Sequence, residues 1–153
     1  MPRIVREADL TWEGSSAKGT GTFTAATSGA FAGLPYTEPT RVFQPEGHTS
    51  PEELLAAAHG GCFTMALAAE LTKARTPPDR LDVRCTVTMD EVEGLGHQIV
   101  HSHIEAQGRV PGADAPAFRA AADAADAGCP FSRLLRATAE VTVTATLVET
   151  TGG

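Results

Sequence analysis

The stretch SPEELLAAAHGGCFTMALAAEL, residues 50–71, decides how this sequence reads. Ser50 suits a helix N-cap and Pro51 the first helical position, and Glu53, three residues after Ser50, completes a capping box. The helical pattern continues to about Arg75, where TPPDR ends it. Residues 54–71 approach the length of a membrane span. His59, Thr64 and Glu70 interrupt them, and Ala and Gly dilute the hydrophobicity, so a buried helix fits better than a bilayer span. Gly60 and Gly61 stand before Cys62 in the middle of this helix. Each glycine costs roughly 1 kcal/mol against Ala, which points to close approach by another backbone or a ligand.

Outward from the helix, the chain alternates apolar and polar residues in several short runs. Residues 3–13 and KGTGTFTA, residues 18–25, read as two strands of an antiparallel meander. Residues 28–43 carry Pro35 and Pro39, which leaves room for one short strand with Arg41 near its end. QPEGHT is a loop. After the helix, LDVRCTVTMDEV (81–92) puts Leu81, Val83, Cys85, Val87 and Met89 on one face, EGLGH turns the chain, and residues 97–110 form the partner strand. A second helix spans roughly 114–127 and stops at Gly128. A third restarts at Pro130, and AEVTVTATLVE (139–149) is a final strand. The order is β-β-β-α-β-β-α-α-β. Strands adjoin in hairpins rather than alternating with helices, so the class is α+β and not doubly wound.

The length of 153 residues fits one domain, residues 1–153, with a core of its own. The formal net charge is −7, with no run of Lys and Arg, which argues against a phosphate-tracking nucleic-acid surface. MPRIVREADL has neither an apolar export segment nor a cleavage site, so the expected compartment is the cytoplasm. Three cysteines without CxxC spacing argue against a disulfide scaffold and a zinc ribbon.

Each cysteine has a plain packing alternative. Cys129 lies between Gly128, which ends one helix, and Pro130, which opens the next. It falls at an N-cap, near unpaired N–H groups that favour a thiolate, or it simply fills a tight turn. Cys62 is too far into its helix for that helix's dipole to act, so a reactive Cys62 requires a cation; otherwise it is a buried packing residue. Cys85 alternates with Val83 and Val87 and reads as core. His97, His101 and His103 share a strand parity and could project from one face. No acidic or thiol ligand accompanies them, and no metal is assigned. No GxSxG surrounds Ser132, and neither a dinucleotide fingerprint nor a Walker motif is present, so no cofactor is expected.

SPEELLAAAHGGCFTMAL and AGCPFSRLL resemble the two cysteine segments of the OsmC/Ohr family of thiol peroxidases. AHGGCFTMAL and VPGAD look closer to its OsmC branch. The resemblance runs from WEG near the start to the last strand. It implies an enzyme that reduces organic hydroperoxides, and hydrogen peroxide less efficiently. Cys62 would be the nucleophile that becomes a sulfenic acid, and Cys129 would resolve it as a disulfide. Family members pair the reactive cysteine with an arginine held by the glutamate of the P-E-E/Q motif. Here these are Arg41, in PTRVF, and Glu52, with Arg3 and Arg6 as other arginines in reach of the same role. The reductant implied is a dithiol of the lipoyl kind.

Glu52 and Cys62 stand ten residues apart on one helix, about 15 Å along its axis. An antiparallel partner helix would bring one chain's Glu52 to the other's Cys62, so the expectation is an intertwined homodimer with the central helix buried between two chains. Two readings of other classes compete: a non-catalytic protein that binds small molecules on the same fold, and a redox sensor whose disulfide signals to a partner.

Overall fold

The structure is a computed structural model and describes residues 2–149. Its contacts divide the chain into two compact units, one ending at Pro51 and the other starting at Glu52.

In the first unit, strands β1 (Asp9–Glu13), β2 (Thr20–Thr24) and β3 (Leu34–Tyr36) form an antiparallel sheet in that order. Residues 3–8, expected to extend the first strand, lie outside it. Tyr36 stacks on Phe23 with ring centroids 4.1 Å apart and meets Trp12 at 5.5 Å.

The next segment departs from expectation. Arg41 belongs to a short helix, α1 (Glu38–Val42), and not to a strand. Thr37 caps it: its side chain accepts from the Thr40 N–H at 3.1 Å, while Thr40 Oγ1 accepts from the Thr37 N–H at 3.0 Å. Pro39 bars a central strand but suits a first helical turn, so the same proline that limits β3 favours α1. A cavity of about 440 Å³ in this unit is lined by Trp12, Tyr36, Thr37, Glu38 and Arg41 among others.

The second unit is built on helix α2 (Pro51–Lys73). Strand β4 (Arg80–Val92) pairs antiparallel with β5 (Gly96–Arg109), and β6 (Glu140–Leu147) pairs with β5 in parallel. The sheet is therefore mixed, where an antiparallel one was expected. The two helices between β5 and β6, α3 (Ala115–Gly128) and α4 (Pro130–Arg136), make the crossover that parallel neighbours need. Asp114 caps α3 by accepting from the Ala117 N–H at 2.8 Å. The α+β class and the predicted element order hold, with α1 added.

The core collects Phe63, Leu67 and Leu71 of α2, Ile104 and Ala106 of β5, and Phe118, Ala121, Ala122 and Ala125 of α3. Alternation along β4 is as the sequence predicts: Leu81, Val83, Cys85, Val87 and Met89 are half-buried and their even-numbered neighbours exposed. By length and composition α2 resembles a membrane span, but Phe63, Leu67 and Leu71 are buried in this core, as befits a core helix.

Phe118 lies against Gly108, where an added Cβ would come within 2.5 Å of its ring. Phe118 is buried and cannot swing aside. Gly108→Ala is expected to destabilise the protein by about 1–3 kcal/mol, read from the urea unfolding midpoint at unchanged slope.

Candidate active site

Cys129 is both the last cap of α3 and the N-cap of α4, with extended backbone (φ −75°, ψ 118°). Its side chain makes no capping hydrogen bond. Cys62, half-buried on α2, lies near enough to the fully buried Cys129 for the two thiols to act on each other. Both are free thiols. The backbone of Phe131, second residue of α4, favours the Cys62 thiolate. The amide at the start of α4 thus serves Cys62, whereas local sequence reasoning gave that helix start to Cys129.

Burial pushes the Cys62 thiol above its ordinary range, and the neighbouring Cys129 pushes it the same way. The Phe131 N–H pulls it down. Desolvation and a like-charged neighbour both oppose a thiolate, so a nucleophilic Cys62 needs a cation. Two neighbouring free thiols are a pair from which a disulfide can form.

The other expected site residues fall at element ends. Arg41 is in the last turn of α1, on the wall of the first unit's cavity. Glu52 is in the first turn of α2, where its charge suits the helix dipole. Gly60 explains itself within the chain: a Cβ there would stand 3.1 Å from Cys85 Cβ. At Gly61 a Cβ would meet nothing within 4 Å. Cys85 lies half-buried on the sheet's inner face, its thiol pushed up by burial and pulled down by Ser102 and the Gly60 backbone.

The expected shared face of the three histidines is broken. Thr88 pairs with His101 but Met89 with Ile99, so Val100 is an extra residue, and His97 falls on the parity of Ile99. His101 and His103 both meet Thr142 Oγ1, at 2.7 and 2.6 Å.

Among known proteins, the family model described as OsmC-like protein matches residues 44–144. The chain belongs to the OsmC-like protein family. It is 38% identical over 134 residues to Peroxiredoxin OsmC of Escherichia coli (strain K12), covering 88% of this chain and 92% of that protein. It is 33% identical over 99 residues to the organic hydroperoxide resistance protein of Xanthomonas axonopodis pv. citri (strain 306), covering 63% and 66%. In fold it resembles the crystal structure of an organic hydroperoxide resistance protein from Elizabethkingia anophelis, with TM-score 0.71 at 20% identity over 96% of this chain and 99% of that one.

In this OsmC-like chain the sequence reading missed a buried polar bridge beside the sulfur pair. His59 is three residues before Cys62 and fully buried. Its Nδ1 lies 2.7 Å from Ser102 Oγ and its Nε2 lies 2.8 Å from Ser132 Oγ. The signal available was a histidine at helical spacing from Cys62, on an otherwise small and apolar face. Its serine partners, 43 and 73 residues away, leave no local trace.

Burial holds His59 below its usual pKa of 6.5, with Asp126 pulling it up and Arg136, the ion-pair partner of Asp126, pulling it down. In the unfolded chain it takes a proton near pH 6.5, while in the folded chain it stays neutral to lower pH. The unfolded state therefore binds more protons, and stability falls as pH drops from about 6.5 towards the folded value. Thermal melting followed between about pH 7 and 5 should show this loss, and His59→Gln should flatten that part of the profile.

Proposed function

We propose that this chain is a cysteine-based peroxidase that reduces organic hydroperoxides, and hydrogen peroxide less efficiently. The observation that carries the reading is the neighbouring pair of free thiols, Cys62 and Cys129, drawn from distant segments. Membership of a family whose relatives are named peroxiredoxin and organic hydroperoxide resistance protein supports it.

Cys62 thiolate attacks one oxygen of the hydroperoxide. The O–O bond breaks, the alcohol leaves after taking a proton, and Cys62 becomes a sulfenic acid. Cys129 then attacks the oxidised sulfur. The S–S bond forms, the S–O bond breaks and water departs. A dithiol of the lipoyl kind exchanges with the disulfide and returns both thiols. Arg41 supplies the cation that burial makes necessary. Its guanidinium stabilises the thiolate and donates to the oxygen that gains charge as the O–O bond breaks, and Glu52 holds it in place.

The working unit is a homodimer. Ala57, Gly61, Met65 and Ala69 recur every fourth residue of α2 and all are exposed, Met65 by 77%. A stripe of small and apolar residues with open space at Gly61 suits the close approach of a second copy of the helix.

Mass spectrometry after one equivalent of cumene hydroperoxide should find a Cys62–Cys129 bridge. Cys129→Ser should leave sulfenic acid on Cys62, and Cys62→Ser should consume no peroxide. Loss of peroxide without any change at Cys62 would sink the reading. Arg41→Met should slow peroxide reduction by about 100-fold, read as kcat/KM, while the chain stays folded. Gly61→Ala should weaken the dimer in sedimentation experiments, although Ala favours an isolated helix by about 1 kcal/mol. A folded, active wild-type monomer would overturn the dimer.

A further inference from the structure

Three buried side chains next to the sulfur pair take no part in the chemistry of peroxide reduction. They are His59, Ser102 and Ser132, each with no exposed surface. Ser102 belongs to the central strand β5, His59 to α2 one turn before Cys62, and Ser132 is the third residue of α4. Through contacts of 2.7 and 2.8 Å, one imidazole ties the sheet, the Cys62 helix and the start of the Cys129 helix together.

Helix α4 has only seven residues, and its N-cap side chain makes no capping hydrogen bond. Its far end is held by the Arg136–Asp126 ion pair and by buried Leu135. Its near end carries Cys129 and the Phe131 backbone, both of which act on the Cys62 thiol. Among the hydrogen bonds from that end, the one from Ser132 Oγ to His59 runs directly to the Cys62 helix. A neutral imidazole has one N–H and one bare nitrogen, and here each faces a hydroxyl that can donate or accept. Removing a serine leaves a buried nitrogen unmatched, so the bridge resists small displacements.

We propose that His59 and Ser132 are positioning residues for the sulfur pair: the bond between them fixes the start of α4 so that Cys129 stays at Cys62, and closure of the disulfide depends on it. Holding two groups at one place raises their effective concentration, and loosening one end of α4 lowers it. In the catalytic cycle this inference rests on the peroxidase reading, but the closure can be measured without peroxide.

The test uses the full chain and a glutathione buffer, in which oxidised glutathione takes two electrons from the thiols and becomes two reduced molecules as Cys62 and Cys129 join. The value of [GSH]²/[GSSG] at which half the protein is bridged should fall about tenfold in Ser132→Ala, the size expected for one buried hydrogen bond. With one equivalent of cumene hydroperoxide and a dimedone quench, Ser132→Ala should hold Cys62 as trapped sulfenic acid at times when the wild type is already bridged. His59→Gln should do the same; if it fails to fold, Ser132→Ala, which removes a single oxygen, carries the test. A lower melting temperature with the wild-type midpoint and wild-type sulfenic acid lifetime would show a merely structural bond and overturn the proposal. A wild type that bridges in glutathione but ignores peroxide would remove the peroxidase reading, and a shifted midpoint in Ser132→Ala would still uphold the positioning role.

Discussion

Strand β6 runs parallel to β5, and a parallel neighbour cannot be reached by a tight turn. The chain has to leave one end of β5, cross the sheet and return to the other end. In the second unit that crossover is α3 and α4, and the junction between them is Cys129. The arrangement of the sulfurs follows from this constraint. Alanines at 121, 122 and 125 let α3 lie close to the sheet, and Phe118 fills the space over Gly108. The α3–α4 junction then meets the middle of α2, where Cys62 waits.

The resulting pair of sulfurs is in tension with its surroundings. Burial and mutual proximity keep Cys62 protonated, while the first turn of α4 offers it an N–H. Such a thiol is protected from casual ionisation, and its reactivity depends on what charge is brought to it. Proximity itself is already in place, since the two side chains act on each other in the folded chain. The geometry is thus arranged more for joining the sulfurs than for ionising either one alone.

Much of the fold was legible because its signals are local. The period of two along β4, the proline and glycine at helix boundaries, and the N-cap position of Cys129 all survive in the structure. What was misread depends on contacts with distant partners or on a residue with two uses. Pro39 read as a strand breaker and turned out to sit in the first turn of α1, because Thr37 and Thr40 cap each other. The extra residue Val100 moved His97 off the face of His101 and His103, since a single insertion reverses the alternation beyond it. The parallel sense of β6 was hidden because a strand's own pattern does not state its direction beside a neighbour.

By itself the sequence determined every element but α1, the α+β class and which cysteines stand in chemically suggestive contexts, because capping, periodicity and turn chemistry act within a few residues. The tertiary structure alone decided that the N–H at the start of α4 serves Cys62 and that His59 bridges two serines from remote segments. The physical reason is range. A hydrogen bond between side chains 43 or 73 residues apart has no sequence period, and exists only once the crossover has folded over the sheet.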